Sequence, residues 1–198
     1  MKIYKDIEQG GPEWSLLRKG KMTASNAQAI GNNGKGLETY VYEIVAGVLS
    51  SANDESYTNP EIERGKELES VAREMYQLEN GVTIEQVGFV ESSEYVGASP
   101  DGLIGEDGGC EIKCHNDVKH VKLMAKGIDE IESSYIWQIQ MNLLVTGRKW
   151  WDYIAYNPNF QKSLLVFRIT PDESMQAKLI EGLKAGENKI KELFAKLK

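Results

Sequence analysis

Apolar residues recur every three or four positions through several stretches of this chain and every second position through others. Residues 37–49, LETYVYEIVAGVL, carry Leu37, Val41, Ile44, Val45 and Val48 at helical spacing. In NPEIERGKELESVAREMYQLENG the stripe is Ile62, Leu68, Val71, Ala72, Met75 and Leu78, with Asn59 as N-cap, Pro60 in the first turn and Gly81 at the end. Gly65 interrupts that helix at a cost of about 1 kcal/mol against alanine, so close packing or backbone access has to justify it. The period then drops to two. VTIEQVGFVES, YVGASPDGLIG and CEIKC read as three strands, the last two joined by the turn GEDGG. Helical spacing returns over 117–128 and over 134–145, the latter capped by Ser133 or Ser134 and stopped by Gly147. KWWDYIAYNP and KSLLVFRIT read as two further strands around a loop with Pro158. From Pro171 onward the chain reads as one amphipathic helix with Met175, Leu179, Leu183, Ile190, Leu193 and Leu197 on its apolar side. Near the start, PEWSLLRKG opens a helix at Pro12 and stops at Gly20. TASNAQAIG offers Thr23 or Ser25 as N-cap and closes at Gly31, and GNNGKG is a flexible link.

Helices, three strands, helices, two strands and a helix imply an α/β fold: a mixed central β-sheet flanked by helices. No repeat or second core is visible, so residues 1–198 are expected to form one domain. With 198 residues, 41% apolar and 27% charged, the composition is that of an ordinary globular protein. No run approaches the roughly 18 apolar residues that span a bilayer, and MKIYKDIEQGG lacks the apolar core of a signal peptide. The expected location is cytoplasmic, with no membrane partner. A net charge of −7 argues against coating nucleic acid by bulk electrostatics, so any nucleic-acid contact must be local. Cys110 and Cys114 share strand parity and have no second pair, which favours buried thiols over a four-ligand metal site.

The densest chemistry lies in SPDGLIGEDGGCEIKC, residues 99–114. Asp101 follows Pro100 at the end of an extended segment. Glu111 and Lys113, two apart on the next strand, share one face, while Ile112 points into the core. A hairpin turn returns Asp101 toward Glu111. Two carboxylates plus the Ile112 carbonyl make a hard oxygen site suited to Mg²⁺ or Mn²⁺, and the lysine can hold a phosphate oxygen or orient a water. The plainer alternative is a hairpin with a solvated charged face. Flanking apolar runs favour a buried strand, where charges need a purpose.

SPDGL and EIK resemble the PD-(D/E)xK nuclease core. The closer resemblance is to its lambda-exonuclease-like group, also called YqaJ-type viral recombinases. WSLLRKGKMTAS, RGKELE and YIWQIQ are similar to further segments of that group and occur in its order, from Trp14 to about Trp151. The resemblance implies a restriction-endonuclease-like core. It implies Glu69 as the helical acid, in preference to Glu67, with Asp101 and Glu111 as the main metal carboxylates. Lys113 would be the catalytic lysine, and Gln138 the amide that orients lysine, water or backbone. Two metal ions would take part in catalysis. Tyr135 lies on roughly the same helix face as Gln138, as a pocket residue or a packed aromatic; Gln140 should point elsewhere. Arg18 matches an arginine that receives a terminal 5′-phosphate, with Thr23, Ser25 and Ser99 around it, so segment 12–49 would contribute to DNA-end binding. Lys35 is a candidate arm on the substrate side. Lys113, His115, Lys119, His120, Lys122 and Lys126 form a local basic cluster that could steer a DNA backbone. Trp150, Trp151, Tyr153 and Tyr156 read as packing residues rather than a stacking platform.

The expected activity is that of a metal-dependent 5′-to-3′ exodeoxyribonuclease acting on linear double-stranded DNA with 5′-phosphate ends. It would leave 3′ overhangs for phage or prophage recombination, beside a single-strand annealing protein. The related enzyme forms a ring-shaped trimer. The competing readings are a PD-(D/E)xK endonuclease of restriction or repair type, and a non-catalytic DNA-binding assembly protein on the same scaffold. An iron–sulfur nuclease is disfavoured because two cysteines do not supply four ligands.

Overall fold

The computed structural model describes residues 1–51 and 60–197, without the side chains of residues 60–64 and 66. In chain order the elements are β1 (Lys2–Tyr4), α1 (Pro12–Arg18), β2 (Met22–Thr23), a 3₁₀ turn, α2 (Ala27–Asn32), α3 (Lys35–Leu49) and α4 (Pro60–Asn80). Then come β3 (Ile84–Glu85), β4 (Phe89–Ser93), β5 (Val96–Ala98), β6 (Gly102–Ile104), β7 (Gly108–Cys114) and α5 (Asp117–Lys126). A second 3₁₀ turn leads to α6 (Ser133–Thr146), β8 (Trp150–Tyr156), β9 (Leu164–Ile169) and α7 (Glu173–Leu197). The fold is mixed α/β with a restriction-endonuclease-like core.

The strands form two sheets, where the alternation alone implied one. The smaller has the order β1-β4-β5-β2 and the larger β3-β6-β7-β8-β9. Two segments expected to be single strands each pass from one sheet to the other. VTIEQVGFVES divides into β3 and β4, and YVGASPDGLIG into β5 and β6. Pro100 explains the second break, because it has no N–H to extend a ladder. The side chain of Gln9 fastens both passages, donating to Val87 O and to Pro100 O, each at 2.9 Å. The short strands β1 and β2 carry too few residues to show a period.

In the larger sheet β7 and β8 run parallel, pairing Glu111 with Tyr153 and Lys113 with Ala155, and β8 and β9 are antiparallel. Strand parity divides the interior. Cys110, Ile112, Ile154 and Tyr156 pack with Ala72 and Tyr76 of α4 on one face. Trp151, Tyr153 and Ala155 join the main core with α6 and α7 on the other. The two tryptophans therefore lie on opposite faces, and Trp151 and Tyr153 are fully buried, which leaves neither ring for base stacking. Helix α6 is buried nearly all round, since it runs between the sheets and helices α2 and α7. Gly31 of α2 is required there: a Cβ would fall 2.2 Å from the Trp137 ring.

Several local expectations change. In α4, Val71 and Leu78 are exposed at 43% and 85%, and Tyr76 takes the buried position because its hydroxyl donates to Asp152 Oδ2 at 2.6 Å. Leu197 is also exposed. Helix α2 has Asn26 as its cap and ends at left-handed Asn33, with Gly31 inside it. The N-cap of α6 is Glu132, not a serine. Lys35 opens α3 as an ordered, exposed helical residue rather than sitting in a flexible link. Asn59 lies outside the described residues, as does the side chain of Ile62. Among the described residues no side chain lies where a Gly65 Cβ would stand.

Candidate active site

The hairpin β6–β7 carries the acid–acid–lysine set. Gly102 lets β3 pack against it, because a Cβ there would meet Ile84 Cγ2 at 2.0 Å. The Arg148 guanidinium holds its turn, donating to Gly105 O at 2.8 Å and Gly108 O at 2.6 Å. Beyond the hairpin ladder, the Ile112 N–H donates to Asp101 Oδ2 at 2.7 Å. The N–H and C=O of one strand residue share an edge, so the Ile112 carbonyl faces the Asp101 side as well.

Glu111 is fully buried. Its Oε1 accepts from Lys113 Nζ at 2.6 Å and from Gln138 Nε2 at 2.7 Å. Burial, and then the neighbouring charge of Asp101, push its pKa up to about 7 despite the lysine. Burial works against the charge on Lys113, but Glu111 and Asp101 outweigh it and hold the ammonium protonated. The Lys113 ammonium also lies 5.3 Å from the centroid of Tyr135, which stands beside Tyr153. Glu69 is half-buried and pairs with Arg73; burial and Asp101 raise its pKa, and Arg73 opposes the rise. Glu67 is exposed. Glu69, Arg73 and Asp101 line a cavity of about 670 Å³ that extends to Trp14.

Among the described residues, no three His, Cys, Asp or Glu side chains already stand together as a metal cluster. The donor chemistry nevertheless suits a hard divalent cation. Glu69, Asp101 and Glu111 all offer oxygen, and Asp101 raises the proton affinity of both glutamates, a repulsion that a cation relieves. Cys110 is buried beside Ile112 and its thiol is pushed up by burial, so it takes no part.

A second cluster forms around Arg18. Its Nη1 donates to Ser99 Oγ at 3.1 Å, and its Nη2 to Thr23 Oγ1 at 3.2 Å and Ser25 Oγ at 3.4 Å. The guanidinium lies over Trp14, 4.3 Å from the ring, and Trp14 Nε1 donates to the same Ser99 Oγ at 2.8 Å. The Thr23 side chain caps no helix; its backbone N–H donates to Tyr40 Oη at 3.0 Å. Burial lowers the pKa of Arg18. All of its hydrogen bonds among the described residues end on hydroxyls.

The remaining candidates are elsewhere. Lys35 is exposed at the start of α3 and makes none of the described hydrogen bonds of either cluster. Lys119 donates to Glu130 O at 2.7 Å and lies 3.5 Å from Glu132 Oε1, while Lys122 and Lys126 also pair with Glu130. His115 bonds Tyr153, and burial brings its pKa down to about 4; His120 is buried against Phe160. The basic run in the sequence is thus largely neutral or internally paired. Gln140 fastens α6 to the start of α7 through Thr170 O and the Asp172 N–H. Sequence reasoning missed Gln9, Tyr40, Arg73 and Asn142. For Asn142 a signal existed: four residues after Gln138, it shares that helix face.

Fold and site together define the class: a restriction-endonuclease-like core bearing a PD-(D/E)xK centre. The YqaJ-like viral recombinase domain matches residues 13–149, and the chain belongs to that family. LHK-Exo from Laribacter hongkongensis, an alkaline exonuclease, matches at 30% identity and TM-score 0.79, over 94% of this chain and 97% of that one. LHK-Exo in complex with dAMP gives 29% identity and TM-score 0.84, over 94% and 96%. A phage-related exonuclease from Haemophilus somnus 129PT shares the fold at 14% identity and TM-score 0.69, over 90% and 96%. No curated protein matches significantly. The family is one of DNA-processing nucleases and implies divalent-metal catalysis.

Proposed function

We propose that the chain is a metal-dependent 5′-to-3′ exodeoxyribonuclease that engages 5′-phosphate ends of linear duplex DNA and leaves 3′ single-stranded overhangs. One observation carries this reading. Ser99, in the Arg18 cluster, and Asp101, in the carboxylate cluster, are two residues apart on the connection between β5 and β6. Two residues of chain span at most about 7 Å, within the reach from one phosphate to the next along a nucleotide strand. A terminal phosphate on Arg18, Ser99, Thr23 and Ser25 sets the adjoining phosphodiester beside Asp101 and Glu111.

Asp101, Glu111, the Ile112 carbonyl and Glu69 would hold Mg²⁺ or Mn²⁺, two ions in the full reaction. When bound, the metal neutralises phosphate charge and favours ionisation of a water. The protonated Lys113 holds a phosphate oxygen and stabilises charge as the bond breaks. Gln138 keeps Glu111 oriented. Overhang production fits recombination with an annealing partner, and a ring-shaped homotrimer would retain the duplex. The relative LHK-Exo forms a complex with dAMP, which supports a nucleotide-binding site in this fold.

The test uses Mg²⁺ with linear duplex bearing either 5′-phosphate or 5′-hydroxyl, and closed circles. The expected outcome is digestion of linear DNA from 5′ ends, faster with the phosphate, and intact circles. Nicking of circles at the rate of linear cleavage would establish an internal cutter instead.

A further inference from the structure

The accepting atoms of Glu111 are served unequally. Oε1 takes two short bonds, from Lys113 at 2.6 Å and Gln138 at 2.7 Å, whereas Oε2 faces Asn142 Nδ2 at 3.4 Å. Asn142 is fully buried in the apolar run MNLLV, and among the described residues its Oδ1 has no hydrogen-bond partner. A buried amide oxygen without a donor carries its desolvation cost uncompensated. A leucine of similar size would avoid that cost in this core. The amide therefore lowers stability at a position where its one described side-chain contact is the central carboxylate.

We propose that Asn142 is a positioning residue for the metal site: together with Gln138, one helical turn earlier, it fixes both oxygens of Glu111 so that the carboxylate meets the cation in one orientation. Gln138 and Asn142 stand four residues apart on the same face of α6, and that helix is immobilised on several sides, including its attachment to α7 through Gln140. The inference rests on the metal-dependent reading above. Partners that orient a metal ligand typically change metal affinity by about 10–100-fold when removed.

The test is Mn²⁺ binding by isothermal titration calorimetry on the full chain, with no DNA present, beside thermal unfolding of the metal-free protein. Asn142→Leu should keep or raise the unfolding temperature yet weaken Mn²⁺ binding about tenfold or more. Asn142→Ala, the second variant should leucine not fit, should weaken Mn²⁺ to the same extent. Leu143→Ala, which loosens the same helix from its buried neighbour position, should lower stability and leave Mn²⁺ affinity unchanged. Wild-type affinity in both Asn142 variants overturns the proposal, as does an equal loss in Leu143→Ala. If the wild-type chain binds no Mn²⁺ and cuts no DNA, the metal-dependent reading itself falls.

Discussion

Two arginines in this molecule stack on tryptophans and have opposite surroundings. Arg168 lies 3.8 Å from the Trp150 ring and grips Asp152 with two bonds, at 2.8 and 2.9 Å; Asp152 is buried and also accepts from Tyr76. That pairing raises the arginine's pKa. Arg18 lies 4.3 Å from Trp14, but its bonds reach three hydroxyls and its pKa is lowered by burial. The first guanidinium has its counter-charge within the fold. Among the described residues the second has neutral acceptors only, which orient the fork without cancelling its charge. An arginine whose charge is left uncompensated is suited to an external anion, and its planar fork suits phosphate.

The largest effect should come from the carboxylate–lysine centre. Asp101→Ala and Lys113→Ala should each lower cleavage of 5′-phosphorylated duplex by about a thousandfold or more, with unfolding temperature largely kept. Chelation of the metal should do the same. Next, Arg18→Ala should lower the rate on 5′-phosphate ends about 10–100-fold while 5′-hydroxyl ends are cut as before, the scale of one or two charge-assisted hydrogen bonds. Arg18→Lys should not restore the preference, since a point charge lacks the fork. An equal loss on both ends would break the comparison.

Acidification gives a third test. Glu111 titrates at about 7, above the ordinary carboxylate value, and must be ionised to hold a cation. Affinity for Mn²⁺ is therefore full above that value and should fall about tenfold per pH unit below it. In the metal-free protein the sign is reversed. The folded state binds the extra proton, so stability declines as pH rises from the unfolded value near 4.5 to about 7. Glu111→Gln should flatten that decline, read from unfolding temperature across the range. The smallest effect belongs to the paired arginine's support. Tyr76→Phe should cost about 1–3 kcal/mol, because buried Asp152 loses a donor, and leave the 5′-phosphate preference intact.

The sequence showed the centre better than the Arg18 cluster, for a physical reason. Glu111 and Lys113 are two apart on one strand, and Asp101 is one hairpin away, so local periodicity relates them. Trp14 and Ser99 are separated by 85 positions, and no period relates them. Arg18, Thr23, Ser25 and Ser99 were named through family resemblance alone, and the structure brings these four together. The amphipathic helices were largely legible, but exposed Val71, Leu78 and Leu197 show that apolar spacing marks a face without marking what covers it. The split into two sheets was hidden because an alternating run looks the same whether its partners lie in one sheet or two. Asn142 was overlooked because its place four residues after Gln138 marks a shared helix face but not the carboxylate that the amide meets across the core.

Gln9 gives the opening segment a role in the mechanics of the whole molecule. A single amide bonds Val87, where the chain leaves the larger sheet, and Pro100, where it returns. The two sheets meet along a seam, and this side chain is the bolt across it. Pro100 stands between Ser99 and Asp101, so whatever loosens the bolt alters the spacing between the Arg18 cluster and the carboxylate cluster. The join between the sheets thus depends partly on a residue that has no acid, no base and no charge.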